Sequence, residues 1–95
     1  MKNLKVIYTL EVQDGENRYN VHSPKKVEIE EGKSQKDQIN EFGEELAQEF
    51  FCGAETEAIG EWYEIQGGIR AIRYKSFEII ESDEVFELFE RVLYK

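Results

Sequence analysis

The chain has 95 residues, 40% of them hydrophobic and 13% aromatic, which predicts one globular domain spanning residues 1–95. It has no apolar run near the roughly 20 residues of a transmembrane helix, no signal-peptide stretch and a single cysteine, so we expect a cytoplasmic protein without membrane association. The net charge of −9 argues against nonspecific binding to nucleic acid or anionic lipid.

Two alternating segments near the N-terminus predict a β-hairpin. Residues 4–13 alternate between apolar and mostly polar positions, and residues 18–30 alternate again. The turn between them contains Gly15, which accepts a positive φ. Pro24 lacks an amide donor, so the second strand is expected at a sheet edge or with a bulge. The side chains expected to point inward on that strand are Tyr19, Val21, Val27 and Ile29.

The segment 35–52 predicts an amphipathic helix. Ser34 suits the N-cap, and Asp37 three residues later resembles a capping box. Gly53 suits the position just beyond the C-terminus. The apolar stripe that should pack on the sheet is formed by Ile39, Phe42, Leu46 and Phe50, flanked by Ala47 and Phe51.

The polar side of this helix belongs to an acidic stretch. Residues 41–64 contain eight glutamates and no Lys or Arg, whereas the rest of the chain is nearly balanced. Like-charge neighbours at i,i+4 oppose the helix, and so do acids near the negative end of its dipole. The stretch is therefore interpreted either as a solvated face or as a docking surface for a basic partner. Its helical members are Glu41, Glu44, Glu45 and Glu49.

A second hairpin follows the helix. Residues 59–66 predict a strand, residues 66–68 a tight turn, and residues 69–75 the return strand. The apolar parity of the return strand changes at Ser76, which predicts a bulge or a strand break there.

The C-terminal segment 83–94 predicts a second amphipathic helix, capped by Ser82 or Asp83. Its expected apolar stripe consists of Val85, Phe86, Leu88, Phe89, Val92 and Leu93. The resulting order ββαββα is typical of an α+β domain. We expect one antiparallel sheet of four to five strands with both helices packed on one face, the other face being open or used by a partner.

Residues that could carry chemistry occur without the partners they need. His22 takes an outward strand position with no identifiable nucleophile or acid. Cys52 is predicted at a helix C-terminus among glutamates, which disfavours a reactive thiolate. One His and one Cys are too few for a zinc site, and residues 14–17 lack the ligand series of a calcium loop. We therefore expect no catalytic residue, no metal site and no cofactor.

Two features bear on binding. A short basic strip beside an aromatic residue is formed by Lys25, Lys26, Arg70, Arg73, Tyr74 and Lys75. Such strips can hold single-stranded RNA, but pairing with acids across strands is the expected role, and no nucleic-acid binding is expected. Trp62 and Tyr63 point to opposite sheet faces, so one ring should lie outside the helix-covered core, where it could anchor a partner.

Three functional hypotheses follow. The preferred one is a small, acidic, noncatalytic protein-interaction domain, which binds a basic protein or forms a homo-oligomer through a strand edge or the open sheet face. The second is a nucleic-acid mimic whose carboxylates imitate phosphates and occupy the site of a basic nucleic-acid-binding protein. The third is a small enzyme, for which carboxylates are plentiful but no catalytic set is recognisable. The predicted partner-binding residues are Glu41, Glu44, Glu45, Glu49, Trp62 and Tyr63.

Overall fold

One antiparallel sheet and two helices make up the fold, which confirms the predicted α+β class. The computed structural model describes residues 2–50, 57–65 and 69–93. The elements are β1 (Lys2–Asp14), β2 (Asn17–Ile29), α1 (Gln35–Glu49), β3 (Glu57–Ile59), β4 (Trp62–Ile65), β5 (Arg70–Ile79) and α2 (Asp83–Leu93). The strand order across the sheet is β2-β1-β5-β4-β3, and every neighbouring pair is antiparallel.

The N-terminal hairpin supplies the two longest strands. β1 and β2 pair along their whole length, and Gly15 in the turn has a φ of 62°. β2 is an edge strand, as Pro24 predicted. Tyr19 was expected to point inward, but it is 49% exposed. It lies near the hairpin tip on β2, which among the described strands pairs with β1 alone.

The centre of the core lies on one side of β1, here called the α1 face. The even positions Val6, Tyr8, Leu10 and Val12 are fully or almost fully buried there. The Tyr8 hydroxyl donates a hydrogen bond of 2.9 Å to the carbonyl of Ile39, which ties β1 to α1. The side chains of Ile39 and Ala47 belong to the two apolar clusters under the helix.

α1 starts as predicted but turns a different line of residues toward the sheet. The Ser34 side chain accepts a hydrogen bond of 3.3 Å from the Asp37 amide. The buried positions are Ile39, Gly43 and Ala47, whereas Phe42 and Phe50 are 39% and 38% exposed. The prediction that Phe42 and Phe50 belong to the stripe packed on the sheet is therefore wrong.

Gly43 gives the physical reason for this rotation. A Cβ at this position would lie 2.6 Å from Cε1 of Tyr74. The helix backbone therefore approaches the Tyr74 ring of β5 more closely than a residue with a Cβ would allow. Ile39 and the small residues Gly43 and Ala47 face the sheet, and the phenylalanines lie at the flank and the end of the helix. α1 ends at Glu49; the predicted extension to residue 52, with Cys52, and the expected terminator Gly53 lie outside the described residues.

A turn interrupts the predicted strand 59–66. Gly60 has a φ of 62°, and the chain reverses there so that Ile59 pairs with Trp62. The apolar residues on both sides of Gly60 fitted a continuous strand, which is why the pattern concealed this turn. The order of hairpins and helices still matches ββαββα, with β3 as a short extra arm. The predicted turn at 66–68 lies outside the described residues.

The change of parity near Ser76 is a β-bulge, as predicted. Ser76 pairs with Thr9 and Tyr74 pairs with Leu10, so Lys75 is the extra residue on β5. The bulge returns the next apolar residues of β5 to the α1 face, where Phe77 packs against the core.

The start of α2 contacts the side of β1 that bears Lys5, here called the opposite face. Ser82 caps the first turn, and Asp83 forms an ion pair with Lys5. The side chains of Lys5 and the buried Val6 point to opposite sides of β1. Ile7 points to the same side as Lys5 and is only 5% exposed. The predicted arrangement of two helices packed on the sheet is roughly consistent with the structure.

The apolar stripe of α2 is only partly covered. Phe86 is 2% exposed, whereas Val85, Leu88 and Phe89 are exposed. The side chains of Val92 and Leu93 lie outside the described part of the chain. α2 therefore buries Phe86 and leaves Val85, Leu88 and Phe89 exposed to solvent.

Candidate functional site

The four predicted helical glutamates all lie on the exposed surface of α1. Glu41, Glu44, Glu45 and Glu49 are exposed, and the last turn of the helix contains no basic residue. Among the described side chains, no ion pair joins Glu41, Glu44 or Glu45 to a Lys or Arg. Because Glu41, Glu45 and Glu49 are four residues apart, they rise in steps of about 6 Å along the helix axis. We call these four residues the acidic surface.

Glu44 lies on the flank of the acidic surface that faces β4. The Tyr63 hydroxyl donates a hydrogen bond of 2.7 Å to Glu44 Oε2 and accepts one of 3.2 Å from Gln48 Nε2. The hydrogen bond from Gln48 lowers the pKa of Tyr63, but burial and the carboxylate of Glu44 together raise it. The structure thus joins two predicted site residues that the sequence had not connected, and this contact also ties α1 to β4.

The other flank of α1 borders a groove that the sequence did not predict. α1 and β2 enclose a space of about 410 Å³, lined more by apolar than by polar surface. Tyr8 and Val27 lie at its base, and Phe42 and Leu46 form its helical wall. Phe42 combines 39% exposure with a place in this wall, so the groove presents an aromatic side chain to solvent. We call this space the α1–β2 groove.

Charged residues line the rim of the α1–β2 groove. Glu45 and Glu49 of the acidic surface stand on the helical side, and Lys25, Lys26 and Glu28 stand on the β2 side. An adjoining depression of about 250 Å³ continues toward the start of α1 and shares Glu28 and Glu45 with the groove. The groove therefore has an apolar interior. Its edge on α1, called the acidic or helical bank, carries Glu45 and Glu49, and its edge on β2 carries charges of both signs.

Trp62 lies on the opposite face, away from α1. The guanidinium carbons of Arg18 and Arg73 lie 5.7 Å and 5.1 Å from the ring centroid. Arg73 also donates hydrogen bonds of 2.6 Å to Glu11 and 3.1 Å to Glu61. The predicted exposed anchor is therefore a half-buried ring flanked by two guanidinium groups.

The remaining candidates from the sequence have local partners. Arg70 Nε lies 3.5 Å from Asp14 Oδ1, so Arg70, like Arg73, pairs with an acid on β1 as expected. His22 Nδ1 lies 3.1 Å from the hydroxyl of Thr9. Among the described residues, no group of three or more His, Cys, Asp or Glu could hold a metal ion.

The notch between the start of β4 and the continuing β5 encloses a larger, more polar space of about 480 Å³. Its lining includes Glu44, Tyr63 and Arg73, which hydrogen-bond to neighbours as described above, and Tyr74. The Tyr74 hydroxyl donates a hydrogen bond of 2.7 Å to Asn40 Oδ1. Burial, with a smaller effect of the Glu44 carboxylate, raises the pKa of Tyr74 to about 12. These contacts connect α1 to the sheet, which gives the polar lining a structural role.

Comparison with known proteins finds no matching family model, no matching curated protein and no matching solved structure. Neither described helix has the length and apolarity needed to cross a membrane. The sequence located the acidic surface but missed the α1–β2 groove. The one signal of the groove in the sequence was Phe42, which lies four residues before Leu46 and within the acidic stretch.

Proposed function

We propose that this chain is a small noncatalytic protein-interaction domain that presents the acidic surface of α1 to a basic protein partner. The observation that carries the proposal is the exposure of Glu41, Glu45 and Glu49 along one line of a helix whose last turn contains no base. Each like-charge pair at i,i+4 costs the helix a few tenths of a kcal/mol, roughly 0.2–0.5. Glu49 also lies at the negative end of the helix dipole. Neutral side chains would oppose the helix less, and this supports a role for the charges in binding a partner.

The surroundings of the acidic surface support a protein as the partner. Exposed charges of one sign steer an oppositely charged partner and set the salt dependence of binding. Phe42 adjoins these charges and is exposed, and aromatic anchors beside charges are typical of protein interfaces. The enzymatic alternative has weaker support, because both carboxylates that line the polar notch accept hydrogen bonds within the chain, Glu44 from Tyr63 and Glu61 from Arg73.

The test is affinity capture from the host with two charge-matched variants. The first variant, Glu41→Lys with Glu45→Lys, reverses the acidic surface. The control, Glu16→Lys with Glu87→Lys, makes the same change in net charge at exposed positions in the hairpin turn and on α2. We expect one specific partner to bind the wild type and the control, and to bind the first variant at least about tenfold more weakly at low salt. Equal binding by all three proteins would refute the assignment to α1.

The nucleic-acid mimic is retained as a second candidate because of the regular spacing on α1. Glu41, Glu45 and Glu49 form a line of exposed carboxylates that a phosphate-binding site could accept. On this alternative, the partner's own DNA or RNA should compete with the domain for the same site. Simultaneous binding of domain and nucleic acid to the captured partner would exclude mimicry and leave the interaction-domain proposal intact.

A further inference from the structure

We propose that the α1–β2 groove is the docking site for one amphipathic, basic α-helix of the protein partner. This inference rests on the proposed function and makes it specific: it names the place on the surface, the secondary structure of the ligand and the chemistry of its two sides. The acidic surface supplies one bank of the groove, and the exposed aromatic ring of Phe42 supplies its apolar wall.

The layout of the sheet explains why the groove fits a helix. α1 approaches the sheet most closely over β5, where Gly43 meets Tyr74, so the side of α1 toward the β2 edge is less covered. A second helix beside α1 would lie about 8–10 Å from its axis, over the groove.

The apolar wall sets the spacing of the ligand's anchors. Phe42, Leu46 and Glu49 line successive turns of α1 along the groove, a length of about 10 Å at 1.5 Å per residue. A docked helix would cover this length with two turns. Its contacts would come from apolar residues at i, i+3 or i+4, and i+7, which is the usual mode of helix-in-groove recognition.

The charge of the banks selects the ligand. Glu41, Glu45 and Glu49 line the helical bank and its extension, so the ligand side that faces α1 should carry Lys or Arg. A second copy of this chain fits poorly, although α2 exposes apolar side chains. The first half of α2 is acidic, with Asp83, Glu84 and Glu87, and would meet the acidic bank with like charge. The chemistry therefore favours a basic helix from another protein over self-association.

The test is selection from a displayed library of random 16-residue peptides, with the folded full-length chain as bait. The matched counter-baits are Phe42→Ser, which changes the apolar wall, and Glu45→Lys with Glu49→Lys, which reverses the acidic bank. The control bait is Leu88→Ser, which makes a similar apolar-to-polar change at a 61% exposed position on α2. Circular dichroism verifies that each bait is folded before selection.

We expect enriched peptides to combine apolar residues at helical spacing with Lys or Arg on one side. They should bind the Leu88→Ser bait like the wild type, and each groove variant at least about tenfold more weakly. Acidic or non-periodic winners, or a failure to enrich any peptide that depends on the groove, would overturn the proposal. A concentration-dependent dimer that disappears in Phe42→Ser would also overturn it, because the occupant would then be a second copy.

The two proposals fail in different ways. If a partner from the host is weakened by Glu41→Lys with Glu45→Lys but ignores Phe42→Ser, the groove inference is wrong and the interaction-domain proposal stands. If basic helical peptides bind the groove but no host protein is captured in an α1-dependent way, the proposed function is wrong and the groove remains a chemical property of the fold.

Discussion

Replacing Gly43 with alanine should destabilise the protein, although alanine is the better helix residue. In an exposed helix interior, the substitution would gain about 1 kcal/mol. Here the new Cβ would lie 2.6 Å from the ring of Tyr74, which is well inside contact distance. The ring cannot easily move, because its hydroxyl is bound to Asn40 and its edge packs at 67° to the ring of Tyr8.

The expected size of the effect follows from these two opposing contributions. Overpacking a tight core typically costs about 1–3 kcal/mol. After the gain in helix propensity is subtracted, we expect Gly43→Ala to lower the free energy of unfolding by about 1 kcal/mol. Urea denaturation followed by circular dichroism measures this change, with the midpoint and the slope fitted separately. Lys36→Ala, at an exposed site in the first turn of α1, serves as the control and should change stability by less than about 0.5 kcal/mol.

A double-mutant cycle separates the steric clash from other effects of the alanine. When Tyr74→Ala removes the ring, Gly43→Ala should become stabilising by up to about 1 kcal/mol. The coupling between the two positions should then fall in the range of about 0.5–3 kcal/mol expected for residues in contact. If Gly43→Ala stabilises the protein that retains Tyr74, α1 does not approach β5 as described, and the explanation for the rotated helix is wrong.

Three further predictions concern the core, a helix cap and the opposite face. Burial raises the pKa of Tyr74 to about 12, so its contribution to stability is fully present below about pH 10 and is lost as pH rises toward 12. Tyr74→Phe should therefore weaken the fall in stability between those pH values, and an unchanged pH profile in chemical denaturation would contradict this. Ser34→Ala removes the cap of α1 and should cost about 1 kcal/mol, whereas Ser34→Asp should restore most of it, as measured by thermal unfolding. Arg73→Met should increase the quenching of Trp62 fluorescence by acrylamide, because Arg73 lies over the ring; unchanged quenching would show that the ring is shielded by other groups.

The sequence predicted the class of the fold and most elements because hydrophobic alternation and helical spacing are local signals. It even located the bulge near Ser76, since a bulge shifts the apolar parity. It failed where a small residue decided the packing. Gly43 in α1 reads as a weak helix residue, but its lack of a Cβ lets the helix approach Tyr74 and sends Phe42 to the flank.

A further miss concerns a turn, because an alternating apolar pattern can continue across it. Ile59 and Trp62 fitted one strand although a turn at Gly60 separates them. The acidic surface was found because charge is read directly from sequence, whereas the α1–β2 groove required knowing which strand lies beside α1.

The most direct test of the central claim is the footprint of the bound partner on this chain. Amide hydrogen exchange, measured with and without the captured protein, should slow along residues 38–49 of α1 and residues 25–28 of β2, with little change in α2. Protection confined to α2 or to the turn between β3 and β4 would contradict the claim that the acidic helix and its groove form the binding surface.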